Sequence, residues 1–179
     1  MAFMCSSLCS NSQVSKEDGA WSAIGDPTCS AAATFGWKAL GSTQELNKKH
    51  ERLHEFFFDA ERKRMTTINN LDGEKWAFTK GALDPIEGII TKIYENDELV
   101  NINDSHLEKI REANHSMASG ALRVLALTCK RIEDDEDYND IADVEKDMIS
   151  CISNDYYNCK NNIISERILT RLKNKITWI

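Results

Sequence analysis

The sequence predicts an α+β domain in which an antiparallel sheet is flanked by helices. Three observations carry that expectation. Asp72-Gly73 is a hairpin turn signal between two runs rich in aromatic and β-branched residues, 65–71 and 75–80. Asp26-Pro27 and Asp84-Pro85 repeat one helix-start signal. An Asp can accept hydrogen bonds from the free N–H groups of a first turn, and a Pro at the first helical position loses no bond. The order along the chain is helices, then a hairpin, then helices, then a strand, which favours an antiparallel sheet covered by helices.

In chain order, residues 1–20 are small and polar and read as an irregular lead-in. Residues 21–24 suit a short strand. The helix capped by Asp26 is propagated by Ala31, Ala32 and Ala33, with Gly36 as a stop signal. A second short helix fits 43–50. Residues 53–59 and 65–71 read as strands. In 75–80, Trp76, Phe78 and Lys80 share one face and Ala77 and Thr79 the other. After Asp84-Pro85, Ile86, Ile89, Ile90 and Ile93 recur at helical spacing. Ser105-x-x-Glu108 matches a capping box, and Leu107, Ile110, Ala113, Met117 and Ala121 form an apolar stripe that Gly120 can end. Residues 122–129 are an apolar run broken by Arg123 and suit a buried strand. Six acids at 132–140 read as a solvated linker. An Asn-rich tail follows, ending in an amphipathic helical pattern at 164–176. The expected division is a domain at 1–132, then an acidic linker and helical tail at 133–179.

The chain has 179 residues, 41% of them hydrophobic and 28% charged, as in an ordinary soluble domain. The net charge of -7 argues against a nucleic-acid partner, because phosphate binding needs a basic face. No apolar run approaches the roughly 18 residues that span a bilayer, so no direct membrane insertion is expected. The first eleven residues lack the basic region of a signal peptide. The six cysteines are scattered, and Cys5 and Cys9 have no second close pair to complete a zinc set. Reduced thiols and no metal site are expected.

Three segments carry chemistry. In Phe58-Asp59-Ala60-Glu61-Arg62-Lys63-Arg64-Met65 an aromatic precedes a basic cluster, a flat surface beside positive charge that would suit a purine with a phosphate tail. Spacing alone favours a core phenylalanine and an exposed basic turn. In Lys80-Gly81-Ala82 a lysine at a strand end adjoins a residue whose backbone a ligand can approach closely. Alone, this reads as a solvent lysine before a turn. Arg123, a single charge in an apolar strand, would need a partner, either a phosphate or an acid such as Asp59 or Glu87.

Gly-Asp-Pro-Thr at 25–28, Phe58 to Met65, Phe78-Thr-Lys-Gly-Ala82 and the run from Met117 to Leu127 occur together in this order. In that arrangement, over about residues 5–132, the chain resembles the nucleotide-binding domain of P-type cation ATPases, most of all the calcium-pump-like subfamily. Cys-Ser-Asn-Ser at 9–12 is similar to that family's Cys-Asn-x-Ala opening. The resemblance implies an antiparallel sheet flanked by helices that holds Mg-ATP weakly, mainly by stacking the adenine, in the cytoplasm. It implies that Phe58 stacks on adenine and that Lys80 lines the far side of the cleft. Lys63 would lie near purine and phosphates, Arg123 would reach the phosphate tail, and Gly81 would let the base approach the backbone. Asp26 belongs to the same set through its Asp-Pro motif.

The chain also departs from the family. Its Asp-Pro-Thr-Glu motif uses the glutamate to reach the adenine amino group, and here that position is Cys29, a weak, uncharged acceptor. The Asp-Lys-Thr-Gly-Thr segment with the phosphorylated aspartate and the Asp-Gly-Asp-Gly motif do not occur in this sequence. An aspartyl-phosphate cycle needs its nucleophile and magnesium ligands, so no catalytic residue and no turnover by this chain alone are expected. Residues 144–149 resemble the strand by which a pump chain returns to its phosphorylation domain. The expected state is a pump gene broken or split around its nucleotide domain. Its partners would be a nucleotide and the remaining pump domains in trans. The alternative is an interaction protein, or a split-pump subunit, with a vestigial nucleotide pocket.

Overall fold

A two-residue turn organises the main sheet. In the computed structural model, which describes residues 1–151 apart from Gly19 and Asp97, β4 (Arg64–Leu71) and β5 (Glu74–Gly81) pair antiparallel across Asp72 and Gly73. Both turn residues have positive φ, 51° and 98°. That conformation matches the twist of the flanking strands and is the reason Asp-Gly marks hairpins.

Around this hairpin lie β3 (Arg52–Asp59), β6 (Ile90–Glu95), β7 (Glu98–Asn101), β8 (Ala126–Ile132) and β9 (Met148–Ser150). The seven strands run in the order β3-β4-β5-β8-β9-β6-β7. Every neighbouring pair is antiparallel except β6 with β9. A separate ribbon is made by β1 (Gln13–Glu17) and β2 (Ala20–Ile24). The helices are α1 (Ala2–Leu8), α2 (Pro27–Leu40), α3 (Thr43–Lys49), α4 (Leu83–Glu87), α5 (Asp104–Ser119) and α6 (Ile141–Val144). The fold is α+β, as the sequence predicts.

Both faces of the sheet are covered. On one, Ile68 and Ala77 pack with Leu83, Ile86, Ile90 and Ile110. On the other, Met65, Phe78 and Cys129 pack with Cys5, Leu8 and Cys9 of the N-terminal segment. The alternation along β5 sorts Trp76 and Phe78 to the second face and Ala77 to the first, as strand geometry requires.

Several expectations are corrected. The lead-in contains a helix, α1, whose Cys5, Ser6, Ser7 and Leu8 are buried. Seven residues are too few to hold a helix in water, so packing against the sheet and α2 stabilises it. Gly36 does not end α2. It lies buried where α1 crosses, and a Cβ there would stand 2.0 Å from Ser7 Oγ and 2.9 Å from the Phe3 carbonyl oxygen. The helix ends instead at Gly41, with φ 84°. Ile90 and Ile93 belong to β6, not to a helix; a register shift between Ile90 and Lys92 lets residues three apart both turn inward. The capping box of α5 joins Asn103 and His106, not Ser105 and Glu108. The final predicted strand starts at Ala126 rather than at 122.

The sheet also continues past the expected boundary at 132, because β9 enters it between β8 and β6. The acidic stretch between them is tied back by Glu136, which accepts from Lys130 at 2.7 Å, and by Asp140, which caps α6. The amphipathic pattern at 164–176 lies outside the described residues.

Candidate functional site

The strand register gathers the chemistry-bearing segments at one end of the sheet. Asp59 stands opposite Arg64, Arg64 opposite Gly81, and Gly81 opposite Ala126. The end of β3 with Phe58, the turn at 59–63 with Lys63, the end of β5 with Lys80 and Gly81, and the loop before β8 with Arg123 are therefore neighbours. An extra β3 residue between Phe56 and Asp59 marks an irregularity there. Phe57 and Phe58 stay out of the core, at 70% and 62% exposed. A phenylalanine left in water at that level offers apolar aromatic surface to a ligand.

Lys80 is the opposite case. It lies on the Phe78 face of β5 and is 5% exposed. Its Nζ donates to the Cys29 sulfur at 3.0 Å. Among the described residues no carboxylate makes an ion pair with it. Sulfur is a weak acceptor for a buried ammonium, so an anion at this point would be favoured.

Cys29 is placed by the start of α2. Asp26 caps that helix, its Oδ1 accepting from Thr28 N at 2.9 Å and from Cys29 N at 3.0 Å. The Cys29 N–H is the main reason the Asp26 carboxyl lies below the usual carboxylate range; Thr28 and the positive charge of Arg123 lower it further. Arg123 therefore acts on the helix start that also faces Lys80. Arg123 itself is exposed in the loop after α5, beyond Ala121 with its positive φ of 58°. The expectation of a buried charge inside a strand is corrected, because the strand begins three residues later and solvent meets the guanidinium.

Lys63 is exposed at φ 50°, in a turn closed by its N–H on the Asp59 carbonyl at 2.7 Å. Its own carbonyl accepts from Ala82 N at 3.1 Å. The turn lies directly on Gly81, where a Cβ would be 2.6 Å from the Lys63 oxygen and from Arg64 Cβ. The close approach that glycine permits is thus made by the chain's own turn. Sequence reasoning missed the support under this turn. Glu145, with its side chain 2% exposed, accepts from Arg62 Nη1, Arg64 Nε and Thr66 Oγ1, each at 2.6 Å. No local signal announced it, because Glu145 lies 83 positions from Arg62 and 79 from Thr66.

An apolar cleft between α4, α5 and β8, lined by Leu83, Ile86, Ile110 and Met117, lies on the other face and holds none of the predicted site residues. Among the described residues no cluster of His, Cys, Asp and Glu could hold a metal ion. No described helix is long and apolar enough to cross a membrane.

The model of the family "P-type ATPase, cytoplasmic domain N" matches residues 2–158. The chain is 34% identical over 142 residues to calcium-transporting ATPase 1 of Lactococcus lactis, covering 79% of this chain and 16% of that protein. It is 31% identical over 142 residues to the calcium-transporting ATPase of Bacillus subtilis, again 79% and 16%. Over 109 residues it is 30% identical to the P-type 1 magnesium-transporting ATPase of Escherichia coli, 60% of this chain and 12% of that protein. The chain thus spans only about an eighth to a sixth of the length of these relatives. With a family match over most of its length, it belongs to the P-type ATPase cytoplasmic N domains.

Proposed function

We propose that this chain binds Mg-ATP weakly and does not hydrolyse it alone. The observation that carries the reading is the row Asp59, Arg64, Gly81 and Ala126. It brings an exposed Phe58, the Lys63 turn, the Lys80 ammonium and the Arg123 loop to one end of the sheet. Phe58 would stack on the adenine, Lys80 would lie beside the base, and Lys63 and Arg123 would attract the phosphates. Asp26 would act indirectly, by holding the start of α2. Stacking on one ring contributes about 1–3 kcal/mol, so affinity should be on the order of millimolar to high micromolar. In relatives named as calcium- and magnesium-transporting ATPases such a domain is one part of a pump, and this chain would serve transport only together with the other pump domains.

The test is titration of the isotope-labelled chain with Mg-ATP, followed by backbone amide shifts. Shifts near Phe58, Lys80 and Arg123 are expected, and in Phe58→Ala they should need about tenfold more Mg-ATP. No movement at several millimolar ATP would refute the reading. Cys29 motivates a second reading, an interaction protein whose pocket is vestigial, because the adenine-reading carboxylate is replaced by a thiol. Pull-down of remaining pump domains by a chain that ignores ATP would favour it.

A further inference from the structure

We propose that Glu145 is a positioning residue for the nucleotide site, holding the Phe58 turn from the back of the sheet; this rests on the nucleotide-binding reading above. Thr66 and Thr79 face each other across β4 and β5 and share a hydrogen bond at 2.8 Å. Neighbouring Lys80 projects to the other face, so the Glu145 cluster lies behind the strands that carry the site. Glu145 Oε1 takes Arg62 Nη1 and Thr66 Oγ1, and Oε2 takes Arg64 Nε. Arg62 then reaches on with Nη2 to the Phe57 carbonyl at 2.9 Å, and Arg64 with Nη1 to the Pro85 carbonyl at 3.1 Å. One buried carboxylate thereby joins the backbone beside Phe58 to α4 and to the segment entering β9.

The arrangement suits positioning. Phe58 is 62% exposed, so packing does little to fix its side chain, and its direction depends on the backbone beneath. Arg62 ties that backbone at two points. Its N–H donates to Asp59 Oδ1 at 2.8 Å, and its guanidinium bridges Phe57 and Glu145. The planar fork makes both side-chain bonds from two separate nitrogens, where a lysine has a single nitrogen and no fork. Loosening the clamp would let Phe58 sample directions that do not stack.

A double-mutant cycle on the full chain tests this. The affinity for Mg-ATP is read from amide-shift titrations of the wild type, Arg62→Lys, Glu145→Gln, Phe58→Ala and the two doubles with Phe58→Ala, and stability from urea unfolding. Arg62→Lys and Glu145→Gln are each expected to weaken binding by about fivefold, and to weaken it no further once Phe58 is Ala, because groups acting through one contact are not additive. Losses that add fully, or an unchanged affinity in both variants, would overturn the proposal while leaving nucleotide binding standing. A wild type that shows no shifts overturns the underlying reading and the proposal with it. Should Glu145→Gln fail to fold, Arg62→Lys decides alone, since it leaves the bonds of Glu145 to Arg64 and Thr66 intact.

Discussion

Lys80 donates its ammonium to the Cys29 sulfur at 3.0 Å, which ties the end of β5 to the first turn of α2 at the position where the family resemblance implies a glutamate. Cys29→Glu should therefore restore a charged acceptor for the adenine amino group. A hydrogen bond to a charged group contributes about 1.5–3 kcal/mol, which predicts roughly a tenfold or larger rise in the ATP-to-GTP affinity ratio. Parallel titrations with the two nucleotides measure it; an unchanged ratio would show that residue 29 does not read the base.

Phe58→Ala should separate binding from stability. The ring is mostly in water. The unfolding free energy from urea denaturation should stay within about 0.5 kcal/mol of wild type, whereas ATP affinity should fall about tenfold from the lost stacking. A large stability loss would mean that the ring has a packing role.

Gly81→Ala should destabilise the domain by about 1–3 kcal/mol, because the new methyl meets the Lys63 carbonyl and Arg64 at 2.6 Å and backbone must move. Urea unfolding reads this directly, and amide shifts should change across the turn at 59–63. A neutral substitution would mean the turn yields freely.

Acidification should weaken α2 through Asp26. Its carboxyl is held below the usual range, chiefly by the Cys29 N–H. A lowered folded pKa gives stability that is present above the unfolded value, about 3.9, and lost as pH falls through the lower folded value. The cap itself is worth about 1 kcal/mol. Asp26→Asn keeps a capping oxygen without titrating, so its stability should be flatter than wild type below about pH 4. Chemical unfolding across that range, wild type against variant, gives the comparison.

The buried thiols should be silent. Burial pushes the Cys5 and Cys9 thiols up, and both are inaccessible. At neutral pH an alkylating agent should leave them unmodified in the folded chain and reach them only in denaturant, as peptide mass mapping would show. Rapid labelling without denaturant would mean that α1 opens readily.

Local signals placed much of this molecule correctly. The Asp26 cap, the Asp72-Gly73 hairpin and the alternation of Trp76, Ala77 and Phe78 act between near neighbours, so they could be seen in a single sequence. Errors came where two structures share one pattern. Residues three apart, such as Ile90 and Ile93, suit a helix face and equally a strand with a register shift. The short α1 carried no pattern at all, because its helicity comes from contact with α2 and the sheet.

For the candidate site, the sequence by itself determined which residue types are present, the turn and cap chemistry that starts α2 and closes the hairpin, and the family to which the motifs point. Tertiary structure alone decided that Phe58 is exposed, that Lys80 is buried against Cys29, that Gly81 is covered by the Lys63 turn, and that Glu145 stands behind Arg62 and Arg64. The reason is range: capping and turn formation involve groups within a few residues, while Glu145 and Arg62 lie 83 positions apart, and a burial or pairing across such a distance depends on how the whole sheet is assembled.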